Sequence, residues 1–199
     1  MIIINLLGGL GNQMFQYAAA RAMSLEKKQK LRLNASLFHS YTIQSYGLNH
    51  FNIPQNFYKK PNKFVQKIQG LFYKKIYYKE TEFQFNSDLL KLQGNPIFLD
   101  GYFQSEKYFT KYRDQLLLDF RISSPIKKIS KEHAIQMQKE QSVSIHFRRG
   151  DYLQHEVHNT NKTQYYLDAV SLIQKKISTP IFYLFSDDME WVKQNYRQN

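Results

Sequence analysis

The apolar positions of this chain fall into runs and periodic stripes that alternate along its length. Met1-Ile2-Ile3-Ile4-Asn5-Leu6-Leu7 is a nearly unbroken apolar run that ends in glycines, which reads as a buried first strand. After Gly8-Gly9-Leu10-Gly11, apolar residues recur at helical spacing at Met14, Tyr17, Ala18, Ala22 and Leu25. That stripe closes in Glu26-Lys27-Lys28-Gln29-Lys30, where cations suit a helix C-terminus. Leu31-Arg32-Leu33 then alternates like a short strand. Strand, glycine loop, helix, strand is the opening of an α/β sheet.

The middle of the chain carries a weaker pattern. Residues 35–95 are rich in Tyr, Phe, Asn and Lys, and Pro54 and Pro61 break any long helix. Phe64, Ile68, Leu71 and Phe72 fit a basic amphipathic helix, read as a surface helix with one apolar stripe on the core rather than a membrane anchor. Ile97-Phe98-Leu99 has strand character, and a helix is expected from Ser105, as N-cap, through Tyr108, Phe109, Tyr112 and Leu116. Ser123-Ser124-Pro125 reads as a linker, followed by a polar helix around residues 127–140.

From Ser142 the pattern resets. Val143–Phe147 predicts a strand, and Gln164–Ile177 a helix with its stripe on Tyr166, Val170, Ile173 and Ile177. A further strand is expected at Ile181–Phe185, with a helix from Asp188 to Asn195. This is a βαβ unit, which implies parallel strands. The division predicted is residues 1–125 for a first lobe, and 126–199 for a linker helix with the start of a second.

Composition narrows the function classes. The absence of cysteine excludes disulfide scaffolds, thiolate metal sites and cysteine nucleophiles. No stretch approaches the roughly 18–20 apolar residues of a membrane helix, and the N-terminus lacks the basic flank and cleavage site of a secretory signal. A cytoplasmic location is the expectation. The 28 basic and 16 acidic residues leave a formal charge of +12, which favours an anionic partner. Much of that charge is lysine between Lys59 and Lys79, equally readable as a solvated face. A nucleic-acid-binding domain is the competing reading of the charge, but no nucleic-acid motif accompanies it.

Ligands of open parallel sheets bind beyond the carboxyl ends of the strands, and three polar clusters fall there. In Gly8-Gly9-Leu10-Gly11-Asn12-Gln13, Met14 replaces the third glycine of a dinucleotide fingerprint, and Asn34 stands where an acidic residue is required. Its backbone N–H groups still suit a phosphate or a sugar, and a plain tight turn is an equal reading. In His146-Phe147-Arg148-Arg149-Gly150-Asp151-Tyr152, alternation sets His146 and Arg148 on one face and Phe147 on the other. Arg148 is suited to bidentate phosphate contact, while Arg149 and Asp151 also fit a local ion pair. In Ser186-Asp187-Asp188, the aspartates could hold a cation, accept bonds from a ribose or base, or cap the next helix.

Four ordered segments carry a family resemblance: Gly8–Ala18, Gly101-Tyr102-Phe103-Gln104-Ser105, His146–Tyr152, and Phe185-Ser186-Asp187-Asp188. Together they resemble glycosyltransferase family 11, the α-1,2-fucosyltransferases, in a bacterial form without a membrane anchor. The resemblance runs the length of the chain. It implies a GT-B-like architecture with two Rossmann-like lobes, and transfer of fucose from GDP-β-L-fucose to a galactoside 2-hydroxyl with inversion. Donor binding would fall on His146, Arg148 and Arg149, with Arg148 on the diphosphate and Ser186, Asp187 and Asp188 near the nucleoside. Gly9, Gly11, Asn12 and Gln13 would face the cleft from the first, acceptor-side lobe. Catalysis would rest on Arg148, His146 and Asp151, the last as base, with Asp100, His155 and Glu156 as other candidates. No metal or cofactor is expected. The acceptor would be a galactose-containing glycan, with peripheral contact to an acidic inner-membrane face. Family members are longer and carry a further Ser/Trp-rich motif, so an incomplete second lobe and weak transfer by this chain alone are also expected.

Overall fold

A computed structural model describes residues 1–40, 44–65, 67, 73–150 and 163–196. The chain divides into two compact units, Met1–Ser124 and Pro125–Asn199.

In the first unit, β1 (Ile2–Asn5) lies in a four-stranded parallel sheet. Its order is β2-β1-β4-β3, with β2 at Leu31–Asn34, β3 at Ile76–Lys79 and β4 at Ile97–Asp100. Ile2, Ile3 and Ile4 are each 0% exposed, which explains why β1 reads as a continuous apolar run. Helix α1 (Leu10–Glu26) covers the sheet with Tyr17, Ala18, Ala19, Ala20, Ala22 and Met23 buried, small side chains allowing close approach. Strand β3 is absent from the periodicity reading. Its Ile76 and Tyr78 turn inward while Tyr77 and Lys79 are exposed, an alternation only four residues long in a lysine-rich setting.

One sequence expectation needs correction here. The helix expected from Ser105 is two 3₁₀ turns, Glu106–Tyr108 and Thr110–Tyr112, before helix α2 (Arg113–Asp119). Phe109, at φ −141° and ψ 4°, leaves helical geometry, and the Ser105 side chain makes no cap bond. The break lets Tyr108 enter the core, where its hydroxyl accepts the Asn86 N–H at 2.8 Å. Of the residues named for the amphipathic helix, Ile68, Leu71 and Phe72 lie outside the described residues, and Phe64 is helical and exposed.

Buried Asp119 joins α2 to α1. It accepts the Tyr17 hydroxyl at 2.8 Å and Arg21 Nε at 2.9 Å. Burial, reinforced by the Asp119 carboxylate, pushes the Tyr17 hydroxyl far above the ordinary tyrosine value. Burial also lifts Tyr46 to about 12. A phenol with a raised folded-state pKa contributes its full stability below its unfolded value of about 10 and loses it as pH rises through the folded value. The melting temperature is therefore expected to hold to about pH 10 and then fall, a trend that thermal denaturation across an alkaline series would check. A flat profile from pH 9 to beyond 11 would contradict the buried setting of these phenols.

The second unit begins with helix α3 (Lys128–Lys139). Strand β5 (Ser142–Phe147), helix α4 (Thr163–Lys176) and strand β6 (Ile181–Ser186) then form a βαβ unit with parallel strands. Helix α5 (Met189–Asn195) follows, packed by Val192. The α/β class and parallel sheets read from the sequence are thus present. Among the described residues, no helix is long and apolar enough to cross a membrane.

Candidate active site

Register decides what meets at the end of the β5–β6 sheet. Phe147 pairs with Ser186, so the residues that follow each strand emerge side by side. On one side these are Arg148 and Arg149, on the other Asp187 and Asp188. Arg148 Nε lies 3.6 Å from Asp187 Oδ2, and Arg149 Nε lies 3.2 Å from Asp188 Oδ2. The Arg149 backbone N–H also donates to Asp187 Oδ1 at 2.9 Å.

The cluster is braced from beneath. Ser186 donates its hydroxyl to the Phe147 carbonyl at 2.8 Å and accepts the Asp188 N–H at 2.9 Å. Asp188 Oδ1 caps α5 by accepting the Trp191 N–H at 3.1 Å, as an N-cap carboxylate should. Phe147, 2% exposed, packs its ring against Tyr166, Trp191 and Tyr196. The Arg149 guanidinium lies 3.7 Å above the Trp191 ring, a cation–π contact. A Cβ on Gly150 would come within 2.7 Å of Asp187 Oδ2, so glycine leaves room for that carboxylate.

The two arginines therefore differ. Arg149 is fixed between Asp188 and Trp191, with its side chain 22% exposed, whereas that of Arg148 is 41% exposed. Fixed negative charge holds both guanidinium groups at the strand ends, where a diphosphate could be gripped in bidentate fashion. Among the described residues Asp188 is the carboxylate that meets Arg149. Asp151, His155 and Glu156 lie outside the described residues. His146 is exposed on β5, and its carbonyl accepts the Tyr166 hydroxyl at 3.1 Å. Asp100 closes β4 in the first unit.

In the first unit, Gly8 adopts φ +76°, a conformation that favours glycine, and Gly9 is the N-cap of α1. Gly11 is exposed, with nothing within 4 Å of where a Cβ would stand. Asn12 Oδ1 accepts Gln104 Nε2 at 2.7 Å, which brings the Gly101–Ser105 motif onto the glycine loop. Glu80 steadies that motif by accepting the Tyr102 and Phe103 N–H groups at 2.6 and 3.0 Å. Phe103, at φ 53°, is wholly buried.

Gln13 is turned into the fold. It is 0% exposed, donates from Nε2 to the carbonyls of Gly8 and Ser45 at 2.9 Å each, and accepts the Gly47 N–H at 3.0 Å. Its amide bonds to backbone on both sides, so it holds the glycine loop and the chain around Ser45–Gly47 together. The signal for Gln13 was its type and position; only the packing shows where its bonds go.

The fold is α/β with parallel sheets and carries a guanidinium–carboxylate cluster at the end of β5 and β6, and comparison with known proteins gives its family. Residues 1–199 match the family description Glycosyl transferase family 11. The chain is 32% identical over 209 residues to an alpha-1,2-colitosyltransferase of Escherichia coli, covering 97% of this chain and 71% of that protein. It is 31% identical over 229 residues to the O-antigen biosynthesis glycosyltransferase WbnK of Escherichia coli, covering 96% and 74%. Among solved structures it is similar to the NodZ alpha-1,6-fucosyltransferase soaked with GDP-fucose, at a TM-score of 0.51 and 12% identity, covering 98% of this chain and 74% of that one. This structural likeness speaks for the fold. The chain belongs to glycosyl transferase family 11.

Proposed function

We propose that this chain moves L-fucose from GDP-β-L-fucose to the 2-hydroxyl of a galactoside, with inversion, in the building of a surface polysaccharide. The observation that carries the reading is the pair of guanidinium groups at the carboxyl ends of β5 and β6, braced by Asp187 and Asp188. Family membership and a structural neighbour soaked with GDP-fucose support it. The relative named for O-antigen biosynthesis supports the polysaccharide context.

The chemistry follows from charge. In the transition state the C1–O bond to the diphosphate breaks and its electron pair leaves with GDP. The sugar ring takes on oxocarbenium character while the acceptor oxygen approaches the opposite face. Arg148 and Arg149 stabilise the departing diphosphate, and preorganised cations cost no reorganisation at that moment. We assign Asp151 as the base that takes the acceptor hydroxyl proton, a role its carboxylate chemistry fits. His146 stands one residue before the strand end, on the donor side. Because guanidinium neutralises the leaving group, the reaction as proposed uses no metal.

A second reading concerns the sugar alone. The relative at 32% identity is named for colitosyl transfer, so GDP-colitose is the alternative donor. Incubating purified protein with each GDP-sugar and lactose, with and without EDTA, tests both readings. Fucosyl-lactose formed equally in the presence of chelator is the expected product. Colitosyl transfer with no fucosyl transfer would select the second reading, and a requirement for divalent metal would overturn the arginine mechanism.

A further inference from the structure

The first unit contains a cavity of about 820 Å³, within the size range of small-ligand sites, that the donor chemistry above leaves unused. It opens beyond the carboxyl end of the edge strand β2. There the chain at 56–58 runs alongside as a further short parallel pairing, Leu33 with Phe57. Leu33 N–H donates to the Asn56 carbonyl at 2.9 Å, and Tyr58 N–H to the Leu33 carbonyl at 2.8 Å. This pairing delivers Phe57 and Tyr58 to the cavity wall.

Tyr46 joins Phe57 in that wall. Its ring meets Phe57 edge-on, centroids 5.6 Å apart, and its hydroxyl donates to Gln55 Oε1 at 2.5 Å. The chain on either side of Tyr46 is the stretch Gln13 grips, at the Ser45 carbonyl and the Gly47 N–H. The glycine-loop motif thus fixes an aromatic wall. Phe57 is nevertheless 44% exposed, an aromatic surface held in place yet left uncovered by the core.

The remaining lining mixes apolar Leu33, Ala35 and Phe38 with a few neutral polar groups. His39 and Gln44 line the cavity, and neither side chain makes a hydrogen bond among the described residues. Among the described lining residues Lys59 carries the one formal charge, with no carboxylate or guanidinium beside it. The bidentate guanidinium donors that suit a diphosphate are not among the described lining residues. A neutral ligand with an apolar face and a hydroxylated edge fits, and a pyranose ring has that shape of chemistry.

We propose that this cavity is an acceptor subsite, in which a neutral pyranoside lays its apolar face on Phe57 and Tyr46 and directs its hydroxyls to His39 and Gln44. The role as acceptor site rests on the transferase reading above; the capacity to bind a sugar does not. The cavity then selects the glycan, while the arginine cluster of the second unit serves the donor.

The test uses the full chain and three measurements on wild type, Phe57→Ala, Phe57→Tyr and His39→Ala. Saturation-transfer NMR follows binding of methyl β-D-galactoside without donor. Calorimetry follows GDP. Initial rates separate the two KM values. Phe57→Ala is expected to raise the acceptor KM about tenfold and to suppress the galactoside signal, with GDP affinity unchanged and Phe57→Tyr restoring both. His39→Ala should weaken galactoside binding in the same direction. Sugar binding that depends on Phe57 in a protein that transfers nothing would uphold the cavity while removing the transferase reading. Active transfer with an unchanged acceptor KM in Phe57→Ala and His39→Ala would overturn the cavity and leave the transferase reading standing. Loss of GDP affinity in Phe57→Ala would also overturn it, by making the aromatic wall a nucleoside site.

Discussion

Replacing Arg148 with alanine is expected to weaken GDP binding by about 100-fold, corresponding to the loss of one bidentate, charge-assisted phosphate contact of about 3 kcal/mol. The fold should survive, because the side chain is 41% exposed and the ring cluster around Phe147 does not depend on it. Asp187 would keep the Arg149 backbone N–H as a partner at 2.9 Å. Lysine should recover only a small part of the affinity, since an ammonium is a point charge and cannot present two parallel donors. Calorimetric titration with GDP, beside a melting curve for each variant, checks both halves of this expectation. Undiminished GDP affinity in Arg148→Ala would remove Arg148 from the donor site. A collapsed melting temperature with lost binding would instead make Arg148 a structural residue.

A leucine at Gln13 is expected to destabilise the first unit markedly. Leucine has nearly the same size, so the loss is one of hydrogen bonds and not of volume. The Gly8 carbonyl, the Ser45 carbonyl and the Gly47 N–H each lose their partner. Ser45 is exposed and can turn to water, while the Gly8 and Gly47 groups are half-buried. Two such orphaned groups cost about 2–4 kcal/mol, or a fall in melting temperature of roughly 10 °C. Below its transition, Gln13→Leu should bind GDP as the wild type does. A variant that melts normally but loses GDP would return Gln13 to the donor site that its place in the glycine motif first implied.

The periodicity of the chain made several elements legible. β1, α1, β2, β4, β5, α4 and β6 follow from apolar runs and stripes because each is long enough, or buried enough, for one period to dominate. The segment after Ser105 was misread for a definite reason. Its aromatic residues have helical spacing, but Tyr108 is drawn into the core and Phe109 onto Phe15, 6.0 Å between centroids, so tertiary packing overrides the local preference. β3 escaped because four residues of alternation in a lysine-rich stretch carry little signal.

The site was legible as a set of residues and illegible as an arrangement. The four motifs, the strand-end position of Arg148 and the competing roles of Asp188 were all present in the sequence. Which arginine meets which aspartate follows from the parallel register that pairs Phe147 with Ser186, and register is a property of two strands 39 residues apart. Likewise the glycine motif shows that a tight turn precedes α1, while the use of Gln13 to hold the chain around Tyr46 depends on backbone 32 to 34 residues away. Local order and burial are written in spacing, because each residue's neighbours along the chain determine them. Partners distant in sequence are chosen only when the sheet closes and every buried polar group must find its bond.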